Sequence, residues 1–463
     1  MNKLQVLIDG GLTVAYKDGM KMPLSQYMYH SKSGEDISAF RILKANDKKY
    51  IRFPRNFSKF ERFCVSRDDV VYIERRVESD PISFDLSDGF TLRGYQKEPV
   101  KNVIAKLLNT RDNSVVLQAE PSFGKTFVLP YIVKALKQKT LILVDRNLLR
   151  DQMFSEFTTN SEANVTILEN DTEEVGDVTI TTFQMLLINP HLIKKFKDEF
   201  GMIVVDECHV APAAKFLEVI SSFPAKYRLG LSATPTRSDG LTTIITDTFG
   251  YNKVVGSNPD NLKIYNVVVD MNIPVMFSSK KDYSKGFIKA MVNPLSKGED
   301  SPLEIAVNSA VGLYKKGRRV LIYVTYSDLQ NLAKQGLEKA GYKVGVIQGK
   351  TGKVKRNEII DDFQKGKIDF LISGVILQKG VSIHALDTII NLATQNKENL
   401  EQVRGRLRRE KADKREPMFI YFTFGAKLQW GSLETVQQLK DSVQTGDKFA
   451  MISVKQYKEK TYE

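Results

Sequence analysis

Short apolar runs, each followed by a stretch of about helix length, recur from residue 115 to residue 422. Val115–Leu117, Thr140–Val144, Val178–Thr182, Met202–Val205 and Arg228–Leu231 form the first series. Most lack the apolar–polar alternation of a half-exposed strand, so they read as strands buried on both faces of a parallel sheet. Helices are expected over 97–108, 127–136 and 145–157. A second series follows with the same rhythm: Val320–Val324, Tyr342–Ile347, Phe370–Ile372, Thr388–Leu392 and Phe419–Phe422. Its helices are expected over 327–340 and 354–364. Two similar α/β sheets in tandem are the expected fold class.

The flanks differ. Residues 1–85 alternate short apolar segments with turns such as Asp9-Gly10-Gly11, and read as a small, strand-rich α+β domain. The expected division is that domain at 1–85, a first α/β domain at 86–262, a connecting segment at 263–300, a second α/β domain at 301–445 and a tail at 446–463. Lys263–Val269 reads as a strand leaving the first domain, and Ser278–Asp282 as an exposed turn. Ser301 is expected to cap the helix that opens the second. Leu433–Val443 reads as an amphipathic helix and 455–463 as a frayed polar end.

With 463 residues, 42% hydrophobic and 27% charged, the chain has the composition of a globular protein of several domains. No apolar run approaches the roughly 18 residues of a membrane helix. The N-terminus lacks the apolar core of a signal peptide. Two cysteines, Cys64 and Cys208, allow neither a disulfide framework nor a cysteine zinc site. A reducing cytoplasm is the expected compartment. The net charge of +13 suggests a polyanionic partner, nucleic acid first, without separating DNA from RNA. In residues 52–76 basic residues interleave with Phe53, Phe57, Phe60 and Phe63. That pattern suits backbone contact and base stacking, or else an aromatic core beneath a solvated face.

Candidate chemistry gathers at the ends of the apolar runs. Ala119-Glu120-Pro121-Ser122-Phe123-Gly124-Lys125-Thr126 lies between a strand and a helix. Such a turn aims backbone N–H groups at phosphates, and the helix N-terminus adds positive potential. Phe123 and Gly124 belong to the cradle, Lys125 can reach the outer phosphates and Thr126 can hold Mg²⁺. Ala119 stands where the first glycine of such a loop is usual. Upstream, Phe90, Arg93, Tyr95 and Gln96 can recognise a base, the glutamine by presenting both a donor and an acceptor. Asp206, closing a strand, can hold Mg²⁺ opposite Thr126, and Glu207 can deprotonate an attacking water. His209 can relay towards Ser232 and Thr234. In the second half, Arg406 and Arg409 lie one helical turn apart and can clamp a transferring phosphate. Ser373-Gly374 and Gly380 fall near the same sheet edge.

In their order these stretches resemble the motifs of the superfamily 2 helicases and translocases, across about residues 88 to 425. Phe90–Gln96 looks like the adenine-reading Q motif and Ala119–Thr126 like motif I. Thr140–Gln152, which includes Arg146, resembles motif Ia, and Thr181-Thr182-Phe183-Gln184 resembles motif Ib. Asp206–His209 is similar to motif II in a DECH spelling, and Ser232-Ala233-Thr234 to motif III. Arg319–Tyr326, which includes Thr325, resembles motif IV, and Ser373–Ile383 motif V. Gln402–Arg409 keeps the Q-x-x-G-R-x-x-R spacing of motif VI. Within the superfamily the chain looks most like the phage branch-migration helicases of the UvsW type, with RecG-like activity.

The resemblance implies two RecA-like domains with ATP and Mg²⁺ between them. Lys125, Thr126, Asp206 and Glu207 would act from the first. Gln402, Arg406 and Arg409 would act from the second, with Gly380 beside the nucleotide. Arg146, Thr181, Thr182, Gln184, Thr325 and Ser373 would grip a sugar-phosphate backbone, while His209, Ser232 and Thr234 would couple hydrolysis to domain motion. Ser122 departs from the glycine usual in motif I, and Ser382 from the aspartate usual in motif V. The expected activity is ATP-dependent unwinding or branch migration of forks and Holliday junctions by a monomer in recombination, repair or replication, in the host cytoplasm if phage-encoded. RNA unwinding and service as the motor of a restriction or nuclease assembly stand as alternatives. The strand-separating wedge is expected in the N-terminal domain or in a hairpin around 263–285.

Overall fold

The computed structural model describes residues 4–16, 27–32, 34, 36–45, 47–60, 70–120, 123–209, 213–236, 240–257, 263–275, 280–374, 383, 385–394, 400, 403–408, 415–424, 436–441, 443 and 446–462. The chain divides into two compact units, Met1–Asn258 and Pro259–Glu463.

The first unit opens with strands β1 (Leu4–Ile8), β2 (Gly11–Tyr16), β3 (Met28–His30), β4 (Asp36–Ser38), β5 (Arg41–Ala45), β6 (Lys48–Pro54) and β7 (Val70–Glu74). Five of them form a mixed sheet in the order β5-β6-β2-β1-β7, and β3 pairs with β4. Its core holds Val6, Val14, Ile51, Phe53, Phe57 and Phe60, and continues into Val219, Phe223 and Phe249 of the following domain. Of the two readings of the aromatics, the core holds and base stacking does not: Phe53, Phe57 and Phe60 are all buried. Arg52 and Arg55 are not a solvated face either. Arg52 donates to the Ser221 carbonyl at 2.5 Å and Arg55 to that of Ala225 at 2.7 Å. Phe63 lies outside the described residues.

Next comes a seven-stranded, wholly parallel sheet. Its strands are β8 (Ser114–Ala119), β9 (Thr140–Val144), β10 (Val165–Ile167), β11 (Val178–Thr182), β12 (Met202–Val205), β13 (Tyr227–Ser232) and β14 (Lys253–Gly256), in the order β10-β11-β9-β12-β13-β8-β14. Helices Gly94–Asn109, Leu129–Leu136 and Asn147–Asn160 flank it. The second of these starts two residues later than expected, with Pro130 in its first turn, where proline's missing N–H costs nothing.

The second unit repeats the arrangement with β15 (Tyr265–Ile273), β16 (Val320–Tyr323), β17 (Val344–Ile347), β18 (Phe370–Ser373), β19 (Thr388–Asn391), β20 (Met418–Phe424) and β21 (Lys448–Ser453). Their order, β17-β18-β16-β19-β20-β15-β21, is that of the first sheet with each strand advanced by seven. The two RecA-like parallel sheets are thus present in tandem, with the small α+β region before them. Three readings at the flanks change. Lys263–Val269 does not leave the first domain; it supplies β15, parallel to β20 and β21. The hairpin expected around 263–285 gives way to β15 and the helix Lys280–Val292, whose Tyr283, Phe287 and Met291 repeat every fourth residue and are buried. The tail is not frayed: β21 takes the edge place that β14 takes in the first sheet, and the helix Val454–Tyr462 buries Tyr457. Ser301 caps the helix Pro302–Lys315 in a reciprocal box with Glu304.

Candidate functional site

The turn after β8 is held from three sides. Phe123 is fully buried in the core beside that sheet. Gly124 has φ +87°, a conformation that a side chain disfavours, and a Cβ there would lie 2.8 Å from Gln96 Nε2. Gln96 itself is fully buried. Its Nε2 donates to the Phe123 carbonyl at 2.6 Å, and its Oε1 accepts from the Arg93 N–H at 3.0 Å. The amide expected to read adenine is thus engaged with the loop and with the start of its own helix. Phe90 stacks on Tyr131 and tilts against Phe127, Arg93 lies over the Phe127 ring, and Tyr95 meets Phe123 edge-on. Ser122 lies outside the described residues.

Strands β8, β12 and β13 are close neighbours in one parallel sheet, so their carboxyl ends open on one edge. Lys125 and Thr126 follow β8, Asp206 and Glu207 follow β12, and Ser232 ends β13. Lys125 Nζ donates to the Ala119 carbonyl at 3.3 Å and stands 3.8 Å from Glu207 Oε1. Burial pushes the Asp206 carboxyl up to about 7, the Glu207 carboxylate adds to the rise, and Lys125 opposes it. Glu207 has φ 47°. For a side chain with a Cβ this left-handed conformation costs about 1–2 kcal/mol. It is secured by the Glu207 N–H donating to Asp206 Oδ1 at 3.0 Å. Glu207 Oε2 is buried and has no hydrogen bond among the described residues, and lies 3.4 Å from His209 Nδ1. That nitrogen lies 2.8 Å from Ser232 Oγ, which accepts from the Thr234 N–H at 3.1 Å. Hydrogen bonds thus join His209 and Ser232 to the loop at Thr234, with the Glu207 carboxylate against the same His209 nitrogen.

The residues expected on nucleic acid divide by exposure. Arg146 and Gln184 are exposed, and Thr325 is half-buried. Thr181, Thr182 and Ser373 are buried. The Thr181 hydroxyl donates to the Leu168 carbonyl, that of Thr182 caps the helix Phe183–Ile188 by accepting from Met185 N–H, and that of Ser373 donates to the Ile347 carbonyl. In the second unit Arg406 is half-buried and opens the short 3₁₀ turn Arg406–Arg408. Gly380, Gln402 and Arg409 lie outside the described residues. Arg404 was not among the expected residues. It is buried although charged, and its one sequence signal is its place between the apolar residues Val403 and Leu407.

Among the described residues no group of three or more His, Cys, Asp or Glu side chains could hold a metal, and no helix is long and apolar enough to cross a membrane.

A phosphate-cradling turn, two carboxylates and a polar relay on one edge of a parallel sheet, with a second sheet of the same strand order, define a nucleotide-hydrolysing motor. Residues 89–237 match the family described as type III restriction enzyme, res subunit, and residues 304–411 the helicase conserved C-terminal domain. The helicase D10 of Escherichia phage T5 is 26% identical over 311 residues, 67% of each chain. The African swine fever virus protein QP509L, named for ATP-dependent RNA helicase activity, is 24% identical over 80% of this chain and 75% of its own. The DNA-bound type ISP restriction-modification enzyme LlaBIII shares the fold over 78% of this chain and 31% of its own, at 17% identity and a TM-score of 0.56. The chain is a superfamily 2 ATP-dependent helicase.

Proposed function

We propose that the chain is a DNA helicase or translocase that unwinds or branch-migrates forks and Holliday junctions during recombination, repair or replication. The observation that carries the motor reading is the meeting of Lys125, Asp206 and Glu207 at the carboxyl ends of β8 and β12. The choice of branched DNA rests on the likeness to phage branch-migration helicases, in keeping with the match to a phage helicase. The net charge of +13 suits a polyanionic track.

In this reading Lys125 and the N–H groups of the 123–126 turn bind the outer phosphates. Thr126 and Asp206 would hold Mg²⁺, which neutralises phosphate charge when it arrives with the nucleotide. The residues fit such a cation: burial holds the Asp206 carboxyl up, a penalty on its charged form that a cation beside it would relieve. Glu207 orients the attacking water and takes its proton. His209 senses that carboxylate and passes its state through Ser232 to the loop at Thr234. Arg406 and Arg409 of the second unit stabilise the γ-phosphate as charge develops on it. Arg146, Gln184 and Thr325 contact the strand.

A second reading, RNA unwinding, is favoured by the name carried by QP509L. The deciding experiment measures ATP hydrolysis with single-stranded DNA, linear duplex, a four-way junction and structured RNA at one salt concentration. Preferential stimulation by the junction is the expected result. Stimulation by RNA alone would move the protein to the second reading. Replacing Lys125 with alanine should abolish the stimulated rate.

A further inference from the structure

Arg404 is 4% exposed, and burying a guanidinium is costly unless its donors and its flat faces find partners. It finds both on the second sheet. Its Nη1 donates to Asn266 Oδ1 at 3.4 Å, and its guanidinium carbon lies 6.0 Å from the centroid of the Phe419 ring. The 3.4 Å bond is long, so ring contact shares the work. Asn266 and Phe419 are directly paired across β15 and β20, and side chains of paired residues leave a sheet on one face. Arg404 therefore lies across two neighbouring strands at one level.

The partner is itself held. Asn266 Nδ2 donates to the carbonyls of Ile264 at 3.1 Å and Lys448 at 3.2 Å. With both amide protons used this way, Oδ1 is turned towards Arg404. Lys448 belongs to the edge strand β21, which pairs with β15 through Tyr265 and Asn266. The C-terminal strand thus fixes the orientation of the amide that receives Arg404.

Val403 and Leu407, four residues apart, are fully buried in the same core as Phe419 and set the depth of the segment. Two apolar anchors on one side leave rotation about the segment's own axis open. Arg404 adds a directional contact between them, two residues before Arg406.

We propose that Arg404, through Asn266 and Phe419, is a positioning residue that sets the aim of Arg406. This rests on the reading of Arg406 as a γ-phosphate clamp. A misplacement of about 1 Å at such a group can cost up to about a hundredfold in rate.

The test compares DNA-stimulated kcat, KM for ATP, DNA affinity and thermal midpoint in the full chain for Arg404→Met, Arg404→Lys, Arg406→Ala and the Arg404→Met/Arg406→Ala double variant. Arg404→Met should lower kcat about tenfold or more, with KM and DNA affinity essentially unchanged. Arg404→Lys, which keeps a donor, should restore part of the rate. In the Arg406→Ala background Arg404→Met should cost nothing further, because there is no clamp left to aim. The proposal is overturned if the two losses multiply, or if Arg404→Met leaves kcat intact while Arg406→Ala abolishes it. If Arg406→Ala itself leaves kcat intact, the clamp reading fails first. Should Arg404→Met unfold the domain, Asn266→Ala breaks the same contact from β15 and must show the same kcat loss, again absent with Arg406→Ala.

Discussion

Replacing Gln96 with alanine separates two jobs that one amide can do. A base reader would lose affinity for adenine nucleotides only. A strut would lose affinity for every nucleoside triphosphate, because what it holds is the loop that meets the phosphates. The geometry favours the strut: the side chain is fully buried, with Nε2 2.6 Å from the Phe123 carbonyl and Oε1 3.0 Å from the Arg93 N–H. Alanine removes both bonds; the Arg93 N–H is only part-buried and can turn to water, but the Phe123 carbonyl on the loop stays buried without its donor. Such a group costs about 1–3 kcal/mol, so about 2 kcal/mol is lost at the loop. If the ordered loop is the binding-competent one, about 2 kcal/mol lowers nucleotide affinity about 30-fold. Gln96→Glu should do at least as much, since a carboxylate would face the Phe123 carbonyl. The assay is steady-state hydrolysis of ATP and GTP side by side, with direct binding of a fluorescent analogue of each. Equal loss for both bases is expected. A loss confined to ATP, with GTP unaffected, would refute the strut and return Gln96 to adenine reading.

Three other substitutions test separate parts of the molecule. His209→Ala removes the imidazole between Glu207 and Ser232 and its 2.8 Å hydrogen bond to Ser232 Oγ, and should cut strand displacement per ATP hydrolysed about fivefold, the size of a net hydrogen bond of about 1 kcal/mol, while hydrolysis persists; parallel hydrolysis and displacement assays check it. Asp247 accepts from Tyr29 Oη at 2.6 Å and from the Ser58 N–H at 3.0 Å, and burial holds its carboxyl above its usual range. A raised carboxyl favours the fold most when protonated, so its contribution is full below the unfolded-state value of about 3.9 and is lost as pH rises through the folded value. Urea unfolding should therefore show Asp247→Asn gaining on the native chain as pH climbs from about 4; a parallel pH profile would contradict this. The Tyr421 hydroxyl is buried and has no hydrogen-bond partner among the described residues, so Tyr421→Phe should raise unfolding free energy by about 1 kcal/mol, read as a higher urea midpoint.

What the sequence made legible follows from where each strand sits. Thr140–Val144 and Met202–Val205 are covered on both faces, so every position is buried and the apolar run announces itself. Lys448–Ser453 is an edge strand with exposed and half-buried positions, and its composition resembles a polar tail. Its identity comes from pairing with Tyr265–Asp270, about 180 residues earlier, which no local pattern records. Lys263–Val269 reads as a strand, but its sheet depends on Met418–Phe424, about 150 residues later. At the site, the order of the motifs pointed to Lys125, Asp206 and Glu207, which lie in the segments that follow β8 and β12. Burial of Thr181, Thr182 and Ser373 was not legible, since a threonine or serine after an apolar run can face either way.

Arginine beside phenylalanine proved most ambiguous, and its resolution changes how the N-terminal sheet must work. Arg228 reaches from β13 to the Gly10 carbonyl at 2.8 Å, while Arg55 reaches from the N-terminal region to Ser114 Oγ at 2.8 Å. Burial, with Arg52 and Arg76 nearby, lowers the Arg228 guanidinium to about 9, a sign of how thoroughly this boundary is dehydrated. A Cβ on Gly10 would lie 2.1 Å from the Ser221 carbonyl, so the two backbones touch where only glycine fits. Removing residues 1–85 would uncover Val219, Phe223 and Phe249, take the Gly10 carbonyl from Arg228 and strip Asp247 of Tyr29 and Ser58. A truncation that lost unwinding would therefore report misfolding as readily as a missing wedge. The sheet also cannot swing independently of β8–β14: with a shared core and reciprocal buried arginines, it travels with the ATP-binding domain through each cycle. Any role in parting strands is that of a rigid projection, and is tested by substituting its exposed residues with the core left intact.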